Sequence, residues 1–176
     1  PHRCYVENIT EYGSRLIQII QFRIENKPQA VHDWIVDRET NHIYAVTQLY
    51  PFNKERNGFA TQIVKFNLPS INIPQVILSD VDIEDSFEVF FPHILQGGVI
   101  HNHTLYFPSG ASADSQLQYG KEKAIVIIDL KEKKIKRIID VQDILNNEPE
   151  GGAFWGKSLV VSCAPKGLYQ FFLKDE

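Results

Sequence analysis

The stretch Gly98-Val99-Ile100-His101-Asn102-His103-Thr104-Leu105-Tyr106-Phe107 sets the pattern on which the fold prediction depends. An apolar run, a tight polar turn and a second apolar run rich in β-branched and aromatic residues are typical of a β-hairpin. Residues 34–46 and 152–161 repeat the same order of runs and turn. The sequence therefore predicts three hairpins built alike.

A further segment follows each hairpin and makes the repeat longer. Ile63-Val64-Lys65-Phe66-Asn67-Leu68 matches Ile125-Val126-Ile127-Ile128-Asp129-Leu130, and residues 168–173 form a looser third copy. Residues 74–78 and 135–139 predict a fourth strand in the first two copies. Tandem units of four antiparallel strands indicate a β-propeller, because a small sheet cannot bury both of its faces alone and neighbouring blades cover them.

We therefore predict an all-β fold, a β-propeller of four-stranded antiparallel blades with three to four blades present. Residues 1–176 are expected to form a single propeller domain or fragment. Residues 29–80 and 95–141 would be blades, and residues 1–24 and 150–174 partial blades that together could close one blade. The array is either a small closed propeller or part of a larger one, and a β-sandwich is the alternative fold.

Composition narrows the classes of function. The chain has 176 residues, of which 43% are hydrophobic, and its net charge is −4, from 18 Lys and Arg against 22 Asp and Glu. A mildly acidic chain is a poor binder of nucleic acid, and no apolar run approaches the roughly 20 residues that span a bilayer.

The chain begins with Pro and contains no Met, which suggests a fragment. Its two cysteines, Cys4 and Cys163, are interpreted as buried thiols or as one bridge.

The run Glu148-Pro149-Glu150-Gly151-Gly152-Ala153-Phe154, followed by Gly156-Lys157-Ser158-Leu159-Val160-Val161, carries a family resemblance. It resembles a motif of secreted bacterial β-propeller proteins of unassigned function with six or seven blades. More distantly it is similar to gluconolactonase-like and strictosidine-synthase-like propellers. The resemblance implies a propeller fold and an extracytoplasmic location, periplasmic or secreted. In lactonase-like relatives, acidic and amide residues from several blades hold a metal ion.

The functional prediction depends on where long loops and polar side chains fall. Residues 48–60, 81–95, 109–123 and 142–150 are predicted as long loops that share one face of the propeller, and loops on a rigid scaffold usually carry function. Polar residues at or just before the inner strands would surround the mouth of a central channel. The candidate ligand-binding residues are His32, Asp33, Arg56, His93, Gln96, Glu148 and Glu150.

A subset of these side chains could hold a metal ion. Asp33 and Glu150 are the candidate ligands, and Ca²⁺ is the ion that carboxylates would favour; no cofactor at all, with a solvated polar rim, is the alternative. His101 and His103 are predicted as residues of an exposed turn and not as a metal pair. The small polar residues 109–115 are predicted as a flexible loop, since they lack the spacing of a nucleophile elbow.

These observations favour binding over catalysis. The leading hypothesis is a scaffold that binds a protein, small-molecule or carbohydrate ligand on the long-loop face, without nucleic acid or a membrane span, and with possible self-association through unclosed blades. The alternatives are a metal-assisted hydrolase or lactonase around Asp33, His93, Glu148 and Glu150, and a structural blade set in a larger assembly. Loop aromatics offer a further binding surface or simply pack: Tyr50, Phe52, Phe59, Phe87, Phe90, Phe91 and Tyr119.

Overall fold

The computed structural model describes residues 3–112 and 119–173, which contain fifteen strands and no α-helix. A single 3₁₀ helix spans Asp80–Asp82 between the seventh and eighth strands. In chain order the strands are β1 (Cys4–Thr10), β2 (Gly13–Ile24), β3 (Lys27–Pro28), β4 (Asp33–Asp37), β5 (His42–Asn53), β6 (Gly58–Asn67), β7 (Gln75–Leu78), β8 (Ile83–Phe91), β9 (Val99–His101), β10 (Thr104–Ser109), β11 (Ala124–Asp129), β12 (Lys134–Asp140), β13 (Glu148–Trp155), β14 (Ser158–Ala164) and β15 (Leu168–Phe172).

The strands form four small sheets. The first contains β1, β2 and β3 in that order, with β7 added to β2, and the other orders are β4-β5-β6-β8, β12-β11-β10-β9 and β13-β14-β15. In the last three sheets each pair joins strands that are consecutive in the chain, except that β7 lies between β6 and β8 in sequence and belongs to the first sheet. These sheets are the blades of a four-bladed β-propeller, which confirms the predicted all-β fold class.

The predicted hairpin turns form where the sequence placed them. Asn102 and His103, between β9 and β10, have φ angles of 50° and 57°, the left-handed pair that a two-residue type I′ turn requires. Such turns match the twist of the flanking strands, so Thr104 pairs with His101 and Tyr106 with Val99. The imidazole of His101 is stacked on Phe154, with ring centroids 4.3 Å apart. The turn is therefore a structural hairpin.

One strand assignment is wrong. The fourth strand of the β4-β5-β6-β8 sheet is Ile83–Phe91, within residues predicted as a loop. The predicted fourth strand lies in β7 instead, which pairs in parallel with β2, joining Ile19 to Gln75 and Phe22 to Leu78. Residues 48–60 are also mostly strand, since β5 continues to Asn53 and β6 begins at Gly58. Two of the four predicted long loops are therefore largely sheet.

The described strands of the two chain ends lie in different sheets. β1 pairs antiparallel with β2, and β2 takes β7 as a further neighbour. The β13-β14-β15 sheet contains three strands, all from the end of the chain, in the part of the chain that the structure describes.

The chain divides into two compact units. The first unit comprises Pro1–Thr47 and Ile63–Phe87, and the second comprises Gln48–Gln62 and Glu88–Glu176. Each unit has its own apolar core. The first is built from Ile20, Phe22, Val31, Ile43, Ala45, Phe66 and Leu78, and the second from Ile125, Ile127, Val141, Leu145, Leu159, Val161 and Cys163.

Both cysteines are free thiols, one in each unit. Cys163 is only 6% exposed, and Cys4 is partly buried against the core of the first unit. Burial raises the pKa of Cys4, and the negative charge of Asp33 raises it further. Burial also raises the pKa of Cys163 against the opposing charge of Lys123. Of the two interpretations of the cysteines, the structure has the buried thiols.

Candidate functional site

Two of the predicted site residues belong to the first unit. His32 is exposed, and its backbone N–H donates to the carbonyl of Val46 at 2.9 Å. Asp33 opens β4, pairs with Val46 and is partly buried. His32 therefore directly precedes β4, and Asp33 is the first residue of that strand. A shared site with residues of the second unit stays a prediction.

Gln96 and Glu148 come together in the second unit. The side-chain amide of Gln96 donates to Glu148 Oε1 at 2.9 Å and to the carbonyl of Gly110 at 2.9 Å. Glu148 Oε2 accepts the backbone N–H of Ser112 at 3.1 Å. Both carboxylate oxygens therefore accept hydrogen bonds, and the pair fastens the segment that follows β10 to the start of β13.

Glu150 contacts the residue that follows Gln96 through its backbone carbonyl. The pairing of β13 with β14 shifts register between Pro149 and Gly151, so Glu150 is the extra residue of a β-bulge. Its carbonyl accepts the N–H of Gly97 at 3.2 Å, while the residue as a whole is exposed. A Cβ on Gly97 would lie 2.8 Å from that carbonyl oxygen. Glycine at this position permits the close approach.

His93 is held by a residue that the sequence analysis did not single out. Gln48 is 1% exposed, and its side-chain amide donates to the His93 carbonyl while its oxygen accepts the N–H of Leu95, both at 2.9 Å. The His93 ring Nδ1 is buried without a hydrogen-bond partner among the described residues. Burial lowers the pKa of His93, against the opposing charges of Glu122 and Asp140. Burial thus favours the neutral form of the ring.

Arg56 lies in the turn between β5 and β6, and it packs on its own sheet. Its guanidinium carbon is 5.0 Å from the centroid of the Phe90 ring, a cation–π contact. Its backbone N–H donates to Asn53 Oδ1 at 2.9 Å, which helps to fix the turn. The structure thus gives Arg56 an aromatic partner on β8.

The predicted loop aromatics mostly pack. Phe59 and Phe91 are buried, and Phe91 lies on β8 as part of a sheet. Phe52 stacks on Tyr119 with ring centroids 4.5 Å apart and meets Phe59 edge-on at 5.1 Å. The largest exposed fractions in this group belong to Tyr50, at 49%, and Tyr119, at 37%.

Asp33 and Glu150 are the predicted metal ligands. Within residues 3–112 and 119–173, no group of three or more His, Cys, Asp and Glu side chains is placed to hold an ion. Asp33 belongs to the first unit and Glu150 to the second, so Ca²⁺ binding by the two stays a prediction.

The described residues contain no helix long and apolar enough to cross a membrane. Residues 113–115 of the predicted flexible loop lie outside the described part of the chain.

A polar network in the first unit was missed by the sequence analysis, which gave His42 no role. His42 Nε2 lies 2.9 Å and Lys65 Nζ lies 3.3 Å from Glu84 Oε2, and Asn67 donates to the other carboxylate oxygen. His42 Nδ1 contacts the Thr40 hydroxyl at 2.8 Å. The carboxylate of Glu84 therefore links β5, β6 and β8. Residues 42, 65 and 84 are too far apart in sequence for any local pattern to reveal this.

The Glu84 carboxylate should make stability depend on acid pH. Desolvation raises its pKa, but the hydrogen bond and charge of Lys65, the charge of His42 and the Asn67 amide together lower it below the ordinary 4.5. A lowered pKa means that the stabilisation is present above the unfolded-state value and is lost as the pH falls through the folded-state value. We expect Glu84→Gln to reduce stability to urea at neutral pH and to cost nothing once the carboxyl is protonated.

The matched control is Glu88→Gln, which changes an exposed carboxylate on the same strand. Urea unfolding of the three proteins at neutral pH and at several values below 4.5 provides the comparison. A stability difference between wild type and Glu84→Gln that stays constant through the acid range would contradict the assigned role.

The β13-β14-β15 sheet carries large apolar side chains that are exposed to solvent. Trp155 is 80% exposed, Leu168 74% and Phe172 78%. Ser158 pairs with Trp155 on one side and with Phe172 on the other, so the two aromatic residues belong to one cross-strand row. We call this surface the outer face; it consists of Ala153, Trp155, Ser158, Val160, Ser162, Leu168, Gln170 and Phe172.

The opposite face of the same sheet is covered. Leu159, Val161 and Cys163 alternate with the outer-face residues of β14 and are buried in the core of the second unit, where Phe154, Tyr169 and Phe171 also pack. Along the outer face runs a groove of about 290 Å³, lined by Trp155, Val160, Leu168, Tyr169 and Gln170. One face of this sheet is therefore a core surface, and the other exposes large apolar side chains to solvent.

Comparison with known proteins finds similarity among solved structures. No protein-family model matches this chain, and no curated protein matches it. Among solved structures, the chain is similar to the crystal structure of the computationally designed Ika4 protein, with 9% sequence identity over 88% of this chain and 98% of that chain and a TM-score of 0.37. The fold class rests on the strand order of the four sheets, and together with the outer face it defines an all-β propeller with an uncovered apolar surface.

Proposed function

We propose that this chain is a protein-binding β-propeller scaffold and that its partner binds the outer face of the β13-β14-β15 sheet. The observation that carries the proposal is the exposure of Trp155, Leu168 and Phe172 on one sheet surface. Contiguous apolar patches of this kind mark interaction sites, and Trp is enriched among the residues that dominate binding energy. Burying each such side chain would contribute about 1.5–3 kcal/mol.

Two features favour this surface over the long-loop face that the sequence suggested. Two of the four predicted loop segments are largely strand, so fewer residues are available in loops for binding than the sequence suggested. In addition, the polar residues Gln96 and Glu148 already bond to each other and to backbone groups. Their donors and acceptors hold the scaffold together, and this supports a structural role for the pair.

Site-specific photo-crosslinking tests the proposal. A photoreactive phenylalanine analogue placed at position 155 should crosslink to a discrete protein in cells that make this chain. Tyr12 is the matched control, since it is an aromatic residue that is 92% exposed but lies in the turn between β1 and β2. Crosslinks to the same proteins in equal yield from positions 155 and 12, or none from position 155, would contradict the assignment of the outer face.

A further inference from the structure

The segment of residues 93–97, which connects β8 to β9, is held by separate hydrogen bonds and not by a strand ladder. The side chain of Gln48, on β5, binds its first part: the amide donates to the His93 carbonyl and the oxygen accepts the N–H of Leu95. Leu95 forms an isolated β-bridge with Ser109. All of these residues belong to the second unit.

The remaining backbone contacts of the 93–97 segment come from three other parts of the same unit. The N–H of Ile94 donates to the carbonyl of Gly120 at 3.1 Å, and its carbonyl accepts the N–H of Gly110 at 2.8 Å. The N–H of Gly97 donates to the Glu150 carbonyl. Segments held by few contacts open locally at a smaller free-energy cost than the strands of a core. The 93–97 segment can therefore open while the sheets beside it stay folded.

The imidazole of His93 gives this segment a titratable group. Its Nδ1 is buried and has no hydrogen-bond partner among the described residues. A neutral imidazole carries its single proton on one of the two nitrogens, and a buried N–H without an acceptor is costly. The neutral ring therefore carries its proton on Nε2 and leaves Nδ1 as a bare acceptor.

A second proton on the ring would have to go to Nδ1, where it meets no acceptor. The charges that act on the ring are those of Glu122, which lies just before β11, and Asp140, the last residue of β12, and both favour the protonated form. Burial is the larger effect and lowers the pKa of His93 below the ordinary 6.5. A lowered pKa means that the stabilisation of the closed segment is present above 6.5 and is lost as the pH falls through the folded-state value.

We propose that His93 is a pH-sensitive switch, and that protonation at its Nδ1 in mildly acidic solution opens the 93–97 segment while the rest of the second unit stays folded. In the open state the ring reaches water and the backbone contacts of the segment are broken. Opening also separates Gln96 from Glu148, whose carboxylate accepts two hydrogen bonds in the closed state. Acidification therefore frees one oxygen of a carboxylate that the closed segment keeps bonded.

Hydrogen–deuterium exchange of the unmodified protein tests the switch. Exchange is measured at about pH 8 and about pH 5, the range over which an ordinary His changes charge, and each rate is divided by its intrinsic value at that pH. The amides of Leu95 and Gly97, which donate within the closed unit, should lose protection about tenfold or more at the lower pH. The amides of Leu159 and Val161, in the core of the same unit, should change by less than about twofold.

Two variants identify the group that titrates. His93→Phe keeps a planar ring that cannot take up a proton, so the protection of the 93–97 segment should become independent of pH to within about twofold. His103→Asn is the matched control, because it removes an exposed imidazole of the same unit and asparagine tolerates the positive φ of that turn position. It should lose protection in acid as the wild type does.

Three results would overturn the inference: no loss of protection in the wild type, an equal loss in His93→Phe, or a loss of the same size at Leu159 and Val161. If His93→Phe does not fold, an NMR titration of the unmodified protein decides the question. The ¹⁵N shifts of the neutral His93 ring should place its proton on Nε2, and the ring and the Leu95 amide should change with one midpoint. A proton on Nδ1, or two different midpoints, would count against the switch.

Discussion

Replacing Phe66 with alanine should lower the free energy of unfolding by about 3–5 kcal/mol. Phe66 is fully buried in the core of the first unit, and its ring meets Phe22 edge-on with centroids 5.0 Å apart. Truncation removes the transfer free energy of the ring and leaves a cavity that strands held in a sheet can fill only in part. A loss of this size is a large fraction of the 5–15 kcal/mol typical of a domain.

The measurement is urea unfolding followed by circular dichroism and by intrinsic fluorescence. Phe172→Ala is the matched control, because it makes the same chemical change at a position that is 78% exposed. That variant should stay within about 0.5 kcal/mol of wild type. Similar losses from the two variants would show that Phe66 does not occupy the centre of a packed core.

Replacing Gly110 with alanine should cost about 2–5 kcal/mol, the second-largest effect expected of a single substitution. Gly110 has a φ of 122°, which residues with a side chain rarely adopt, and a Cβ there would lie 2.6 Å from the Glu122 carbonyl oxygen. Its N–H donates to Ile94 and its carbonyl accepts the amide of Gln96. Shifting this residue would therefore disturb both contacts that place the segment after β10.

Gly13→Ala separates the cost of a positive φ from the cost of the close approach to Glu122. Gly13 also has a positive φ, 140°, but a Cβ there meets nothing within 4 Å. It should show the backbone strain alone, about 1–2 kcal/mol. Thermal or urea unfolding of both variants measures the difference. If Gly110→Ala were no more costly than Gly13→Ala, the close approach of Glu122 would not contribute to stability.

The sequence predicted the parts of the fold that depend on local pairing. The hairpins at Asn102-His103 and Gly156, and the adjacent strands β11 and β15, are read from turn residues and from short β-branched or aromatic runs. β8 was missed because Glu84, Asp85 and Glu88 made it look like a loop. Its burial nevertheless alternates, with Ile83, Asp85, Phe87, Val89 and Phe91 less exposed than the residues between them. An edge strand with charges on its outer face carries this period-two signal.

Such local patterns cannot predict contacts between residues that are far apart in sequence. The parallel pairing of β7 with β2 joins segments more than 50 residues apart, and no hairpin signal accompanies it. The contact of Gln96 with Glu148 was anticipated only as shared proximity to a channel, because the register that brings them together depends on the bulge at Glu150. Gln48 illustrates the same limit, since an amide in a strand gives no sign in sequence that it is buried and bonded to residues 93 and 95.

The strands of the outer face were predicted from the sequence, but the exposure of that face was not. Trp155, Leu168 and Phe172 were assigned to strands, but their pattern alone does not show which side of the sheet is covered. Strand alternation separates Leu168 and Phe172 from Tyr169 and Phe171, yet all four are apolar, so hydropathy cannot tell the core side from the solvent side. Only the packing of Leu159 and Val161 in the core of the second unit does so.

The two free cysteines offer a practical consequence. Because alkylating reagents attack the thiolate, burial that raises the pKa of Cys4 and Cys163 slows their modification in the native state, and Cys163, which is only 6% exposed, is in addition sterically protected. One thiol lies in each unit, so the rates at which a maleimide labels Cys4 and Cys163 report the protection of each thiol in its own unit, without any engineered label. Mass spectrometry of the labelled peptides would then show whether truncating a core residue speeds the labelling of one thiol or of both.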